Sequence, residues 1–517
     1  MTGRTREFFT TVNPTVFTAS AVVVVFFVGF GVIFPALANE VFSAIQSFIT
    51  MYLGWIYLLA VTFFLGFLIW LGLSRFGTIR LGQPHERPEF SFMGWFSMLF
   101  SAGMGIGLVF WSVAEPILHY QTPPVGEGGT DEAALNAMMY TFFHWGLHAW
   151  AVYVVLGLSV ADFSFRKLLP LTIRSIFYPL LGDRIYGPIG HVIDILAVFG
   201  TLFGLATSLG FGAMQLNTGL NVLFGLPVSH WIQVGIIASI TLVAVMSVLS
   251  GLDRGLKWLS QFNLGLALAL MAFVLLAGPT LFIINFFLDS VGGYFQNLIR
   301  MSLTTDAIGG GDWQKDWTIF YWAWWIAWSP FVGIFIARIS RGRTIREFIA
   351  GVLALPSLFV FAWLSVFGGT ALNLELFGDE VGIASAVAED TTVALYVTLQ
   401  ELPFATLLSG VATLLIATYF ITSSDSGTHV VDALVSRGST RSPKRQRVIW
   451  GITEGAVAAT LLIVGGEQAL QSLQTGSITA GLPVSIILLF ACVNLFRALH
   501  RESDELADST GMRRHRD

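Results

Sequence analysis

The chain has 517 residues, 55% of them hydrophobic and only 11% charged, with a formal net charge of −5, and its mean hydropathy is +0.74. An average soluble domain carries roughly 25% charged residues, so too few acids and bases are present to coat a water-soluble globule of this size, and lipid must cover most of the surface. The single cysteine, Cys492, excludes a disulfide framework and a cysteine-ligated metal site.

A helix needs about 20 largely apolar residues to cross the hydrocarbon core. Taken in chain order, such stretches predict twelve spans, near 16–36, 54–73, 92–117, 138–165, 191–223, 231–250, 262–287, 317–339, 349–374, 404–431, 450–463 and 478–499. The first is too long for a cleavable signal peptide, and no small-residue cleavage site with a polar mature sequence follows it. Between the seventh and eighth, Tyr294, Phe295, Leu298, Ile299 and Met301 fall at helical spacing and suit a helix lying flat in the interface, with an outer loop as the alternative. With the N-terminus inside, alternate connecting segments hold 25 of the 27 Lys and Arg, leaving out Arg300 and Lys315. The opposite loops collect acids such as Glu127, Asp131, Glu132, Asp379, Glu380, Glu389 and Asp390. Positive residues stay inside, so a multi-pass cell-membrane protein with both termini cytoplasmic is expected, its activity lying within the bundle.

Polar or glycine-rich interruptions are costly at membrane depth and mark candidate sites. In the third span, Ser101-Ala102-Gly103-Met104-Gly105-Ile106-Gly107 places glycine at every second position ahead of Glu115-Pro116. Close helix packing favours small residues four apart and accounts for Gly103 and Gly107. Gly105 between them points to local unwinding, which bares backbone N–H and C=O groups to a ligand. The fourth span contributes Trp145, Trp150 and Tyr153, and the eighth contributes Tyr321-Trp322-Ala323-Trp324-Trp325-Ile326-Ala327-Trp328-Ser329-Pro330. An interfacial belt explains only the start of that run; Trp325 and Trp328 fall near mid-depth, three apart on one face. Deep Trp side chains on two spans suggest an aromatic cage for a cation. In the tenth span, Tyr419-Phe420-Ile421-Thr422-Ser423-Ser424-Asp425-Ser426-Gly427 is dense in hydroxyls. Any one of these bonds back to its own helix by default, but such a cluster suits a hydrophilic lining or a site for a small alkali cation.

Enzyme readings fit less well. His144 and His148 are spaced like metal ligands in a membrane oxygenase, but such a site needs further histidines in register, and the other seven are scattered. Glu115 and Asp425 have the chemistry of a general acid and base, with no nucleophile or phosphate-binding loop beside them.

The run from Gly103 to Trp111 with Glu115-Pro116, and the run from Trp322 to Pro330 followed by Ala337-Arg338-Ile339-Ser340-Arg341-Gly342-Arg343, closely resemble the betaine/choline/carnitine transporter family. The likeness covers nearly the whole chain. It implies an all-α membrane protein of the leucine-transporter type with twelve transmembrane helices in one domain, 1–517. Two extra helices (16–73) precede a first five-helix repeat (92–287) and a second, inverted one (317–499). Five is odd, so the second repeat starts on the opposite face, as the charge alternation requires. The resemblance further implies a secondary symporter of a zwitterionic, quaternary-ammonium compatible solute serving osmoprotection, without an organic cofactor and as a homotrimer.

By this resemblance the aromatic box is Trp145, Trp150, Tyr153 and Trp325, with Trp324 and Trp328 nearby and Ser208 on the fifth span. A trimethylammonium group has no N–H donor, so ring faces replace its water where hydrogen-bond acceptors cannot. The substrate carboxylate would accept from amides freed over Gly103, Met104, Gly105 and Gly107. Choline-type members carry an Asp where this chain has Gly107, which favours glycine betaine; ectoine, dimethylsulfoniopropionate, carnitine and choline are the other options. A coupling sodium would sit between third-span carbonyls and tenth-span hydroxyls, at Ser101, Met104, Tyr419, Thr422 and Ser423. The family's second sodium position matches at Thr201 and Phe331 but has Leu205 in place of a threonine. Proton coupling through Asp425 or Glu115, or exchange transport, is the alternative. The tails lack the long charged extensions of osmosensing members, so osmotic gating through them is not expected.

Overall fold

The computed structural model describes residues 12–103, 105–250, 253–309, 311–378, 381–439 and 442–509. Among them, helices are joined by turns, and the one isolated bridge pairs Arg80 with Thr344. Helix α1 (Pro14–Ile33) starts where Asn13 accepts from the Val16 amide at 3.4 Å and Pro14 presets the first turn. Helix α2 (Pro35–Phe48) leads through a wide turn at Ile49–Leu53 into α3 (Gly54–Leu73). Val25 and Phe26 on α1 are 72% and 71% exposed, a surface suited to lipid.

The third expected span consists of two helices, α4 (Phe92–Gly103) and α5 (Ile106–Gln121), interrupted at the glycine run. The fourth is also broken, into α6 (Asp131–Trp145) and α7 (Leu147–Ala161), although 138–165 reads as one apolar run. The break falls at Gly146, whose backbone is non-helical (φ −92°, ψ −134°) and where a Cβ would lie 2.6 Å from the Phe361 ring and 2.7 Å from the Phe142 carbonyl. Helices α8 (Pro188–Phe224) and α9 (His230–Ser250) take the fifth and sixth spans. The seventh ends earlier than expected: α10 (Asp253–Ala277) stops before Gly278-Pro279, and α11 (Thr280–Leu303) begins there rather than at 289. Pro279 has no N–H to continue the helix, while hydropathy runs smoothly through it. The expected surface helix is α11, but its apolar residues are divided: Tyr294 and Met301 are buried, Phe295 and Ile299 exposed.

Helices α12 (Thr318–Ile339), α13 (Ile345–Phe377), α14 (Ala405–Val435), α15 (Lys444–Gly465) and α16 (Ala469–Ser509) cover the remaining spans. Pro330 inside α12 cannot bond the Ile326 carbonyl, and the Ser329 hydroxyl donates to it at 2.7 Å instead. By length and composition, ten stretches among the described residues can cross a membrane, with 35–73 and 444–502 each counted as one. Asp131–Arg166 and Asp312–Ile339 are 94% and 83% buried over a membrane-length window, against 22% for Pro14–Ile33 and 22% for Trp258–Ala277. Helices α6, α7 and α12 therefore form the centre of this all-helical, multi-pass protein, with α8 packed against α12 and α14 and α1 and α10 at the rim.

Candidate functional site

The two broken spans converge on α12. Trp145 ends α6, Trp150 and Tyr153 lie on the first two turns of α7, and Trp324, Trp325 and Trp328 lie on α12. Trp325 packs edge-on against Trp145 with centroids 4.9 Å apart, stacks on Trp324 at 4.6 Å and meets Tyr153 at 6.4 Å. Tyr153 faces Trp150 at 5.4 Å and Trp328 at 6.5 Å. Three indoles are anchored by their N–H groups: Trp145 donates to the Glu115 carboxylate at 2.7 Å, Trp325 to the His144 carbonyl at 2.8 Å and Trp324 to the Gly204 carbonyl at 3.3 Å. Rings already fixed lose little freedom when a ligand binds.

The cage surrounds a cavity of about 40 Å³ whose wall also includes Gly105, Ile106, Gly107, Leu108, Ser208 and Ser423. One water needs about 10–15 Å³ on this scale, so the rings are nearly closed. Gly105 is extended, with φ −160° and ψ 177°, immediately before α5. The first-turn amides of α5 have no partner within the helix and favour an anion there. A Cβ at Gly107 would lie 2.4 Å from the Trp324 ring and 3.4 Å from Trp145. Aromatic rings and the first turn of α5 thus line one pocket. Ser208, at its edge, donates to the Gly204 carbonyl at 3.3 Å. Gly103 ends α4; Met104 and the side chain of Ser101 lie outside the described residues.

Tyr419, Thr422 and Ser423 on α14 line a second cavity of about 730 Å³ that reaches Phe331, Arg338 and Asp432. Trp328 and Ser423 border both cavities. The Thr422 hydroxyl lies 3.1 Å from the carbonyls of both Thr418 and Tyr419, and Asn263 approaches it at 3.4 Å. Asn263, on α10, was not among the expected residues; Gln261 and Asn285 are amides of the same stretch, so residue type alone did not single it out. Thr201 is buried on α8, its hydroxyl donating to the Ala197 carbonyl at 2.9 Å, and Leu205 packs against α14 at Gly427. The expected second sodium position therefore holds one hydroxyl, turned to its own helix.

Behind the cage lies a network that sequence reasoning did not assemble. Glu115 Oε2 accepts from Trp145 and from the Tyr321 hydroxyl at 2.5 Å, while Oε1 faces His144 Nδ1 at 2.6 Å and His119 Nε2 at 3.2 Å. His148 instead meets the Ser302 hydroxyl at 2.9 Å, so His144 and His148 do not converge as oxygenase ligands. The ligand atoms of Glu115, His119 and His144 lie within 4.8 Å of one another, but both Glu115 oxygens are already engaged. Asp425 lies 3.7 Å from His429 Nε2, neither of them a lining residue of the cage.

An aromatic pocket at the centre of a multi-pass bundle, backed by a larger cavity on one side, is the architecture of a solute transporter. Residues 15–504 match the betaine/carnitine/choline (BCCT) family of transporters, and the chain belongs to that family. It is 48% identical to the glycine betaine transporter OpuD of Bacillus subtilis over 92% of each chain. It is 44% identical to the ectoine/hydroxyectoine transporter of Virgibacillus pantothenticus, over 95% of this chain and 97% of that one. With the osmo-dependent choline transporter BetT2 of Acinetobacter baylyi the identity is 41%, over 96% of this chain and 73% of that one. These relatives are transporters, not enzymes.

Proposed function

We propose that the protein is a sodium-driven symporter importing a zwitterionic compatible solute that carries a trimethylammonium group, glycine betaine foremost. The observation behind this reading is the shared pocket: ring faces and the α5 amides open on one cavity, so a cation and a carboxylate a few bonds apart are met together. The relatives named for betaine, ectoine and choline leave the solute open among these. Gly107 weighs against choline, because it supplies no anion in the half of the pocket where choline has a hydroxyl.

Twelve spans, two peripheral and ten in two inverted repeats with both termini cytoplasmic, are the arrangement we infer around this pocket, in a homotrimer. The larger cavity reaches Arg338, Asp432 and Arg447, on the arginine-rich side, which in this arrangement would face the cytoplasm. Sodium would sit between Thr422 and Ser423 of α14 and the carbonyls of the third span, where neutral oxygens hold it without a permanent buried charge. These groups come from different repeats, so occupancy would tie the repeats together and make substrate and ion binding reciprocally favourable. Uptake of labelled betaine into proteoliposomes, with sodium and proton gradients imposed separately, tests the reading. Accumulation above the bath concentration on a sodium gradient alone is expected. Uptake driven by protons and indifferent to sodium would reassign the ion, and mere equilibration would indicate a channel.

A further inference from the structure

We propose that Glu115 is the fixed anion that sets the cage's preference for positive charge, acting through Trp145 as a positioning residue and not by touching the solute. This inference rests on the reading of the cage as an ammonium site. Glu115 is fully buried, and the transport reading above gives it no task.

The groups around Glu115 are placed to serve an ionised carboxylate. An indole N–H can only donate, so Oε2 is an acceptor, and the 2.5 Å separation from the Tyr321 hydroxyl is the length of an O–H bond to a carboxylate. His144 presents Nδ1 to Oε1 while its Nε2 lies 3.0 Å from the Thr318 hydroxyl. A neutral ring with its proton on Nδ1 donates to Glu115 and accepts from Thr318, which matches every polar atom. His119 Nδ1 is buried without a hydrogen-bond partner; as a bare acceptor it costs less than a stranded N–H would, which leaves the proton on Nε2, facing Glu115. In this assignment four neutral donors surround an ionised carboxylate. Among the described residues its ion-pair contacts are with these two histidines, and none is with Lys or Arg. A buried charge without its opposite is expensive to keep, and the solute's ammonium group, one indole away, is the counter-charge that the bundle itself does not supply.

The same carboxylate organises the rings. It holds Trp145 directly and Tyr321 behind it, and it fixes His144, whose carbonyl receives the Trp325 N–H at 2.8 Å. An N–H donated to an anion leaves the indole face more negative, and in a water-poor interior the field of Glu115 reaches the cage with little screening.

Binding of two ligands to the purified full chain, measured by calorimetry or tryptophan fluorescence, separates this role from a structural one. Glycine betaine and 3,3-dimethylbutanoate share shape and carboxylate, but the second has a neutral carbon in place of the ammonium nitrogen. Glu115→Gln should lower the ratio of their affinities about tenfold, equivalent to about 1.4 kcal/mol. Tyr321→Phe, which keeps the carboxylate, should shift both ligands together and leave the ratio unchanged. If Glu115→Gln is not recovered folded, Glu115→Asp, which draws the charge back from Trp145 by one methylene, should lower the ratio by a smaller factor. An unchanged ratio in the recovered Glu115 variant overturns the proposal, because loss of packing alone would weaken both ligands equally. Unmutated protein that does not prefer betaine to its neutral isostere overturns the ammonium-cage reading, and this inference with it.

Discussion

Replacing Gly107 by Ala should weaken betaine binding, because the new methyl would lie 2.4 Å from Trp324 Cη2 and 3.0 Å from its Cζ2. That ring has no room to swing: it is stacked between Phe320 at 5.5 Å and Trp325 at 4.6 Å, with its N–H on the Gly204 carbonyl. Overpacking a closed core costs about 1–3 kcal/mol, and here relief comes only by displacing a wall of the cage. At 1.4 kcal/mol per factor of ten, the dissociation constant should rise about 5- to 150-fold. Gly107→Asp adds a carboxylate to the same overlap, and this repels the betaine carboxylate by an amount that can reach several kcal/mol while attracting a bare cation. The family resemblance associates Asp at this position with choline. The contact with Trp324 means that both ligands lose affinity, choline less than betaine. Calorimetric titration of both ligands into the unmutated, Ala and Asp proteins separates the effects, since Ala measures the overlap and the step from Ala to Asp measures the charge. Unchanged betaine affinity in the Ala variant would refute the placement of Gly107 against the cage, and equal betaine-to-choline ratios in Ala and Asp would refute the charge argument.

Trp325→Leu should cost about 2 kcal/mol or more of betaine affinity, the desolvated end of the cation–π range, and Trp325→Phe should keep part of it; equal titrations for the two variants would reduce the cage to packing. Thr422→Ala combined with Ser423→Ala should raise the sodium concentration for half-maximal uptake far more than the betaine constant at saturating sodium, and equal changes in both would place the ion elsewhere. Outside the membrane, Arg341 donates to both Glu86 oxygens at 2.9 and 2.7 Å, and these hydrogen bonds hold the Glu86 carboxyl below its usual range. A lowered carboxylate contributes stability above its unfolded value of about pH 4.3, and loses it as pH falls through the lower folded value. The Arg341 side chain is 46% exposed, so water and salt screen the pair: Arg341→Gln should melt slightly below the unmutated protein at neutral pH and converge with it in acid, and a gap that widened in acid would reverse the assignment.

Much of the bundle was legible because hydropathy integrates over a whole span, which a single residue hardly changes. That strength hid the interruptions. Three glycines in five residues announced the break before α5, but Gly146 sits alone in a buried apolar run, and the Phe361 ring that leaves no room for a side chain there comes from 215 positions further along the chain. Pro279 was missed for a related reason, since apolar residues continue on both sides of it. The cage could be read from ring type and depth on two spans. Its anchors could not, because Glu115, the His144 carbonyl and the Gly204 carbonyl come from three different segments, and no spacing relates them. Asn263 is the same case: its approach to Thr422 joins helices 159 positions apart.

On the proposed reading, the difference between anchored and unanchored rings indicates where the closed pocket opens. Trp145, Trp324 and Trp325 each have the indole N–H committed to a fixed acceptor. The Trp328 N–H is buried without a hydrogen-bond partner, and its ring packs on Phe331 at 5.3 Å, itself a wall of the large cavity. Trp328 also stands just before Ser329-Pro330, where α12 has lost a main-chain bond to Ile326 and keeps only the Ser329 hydroxyl in its place. The partition between about 40 Å³ and about 730 Å³ therefore contains an unanchored ring of the cage and a turn of its helix that lacks a main-chain bond. Ser423 completes that partition from α14. A sodium ion held by Thr422 and Ser423 would stiffen the wall opposite Trp328, and its departure to the cytoplasm would loosen that wall. Release of the ion and opening of the cage would then be one event, which is what coupling between solute and ion requires.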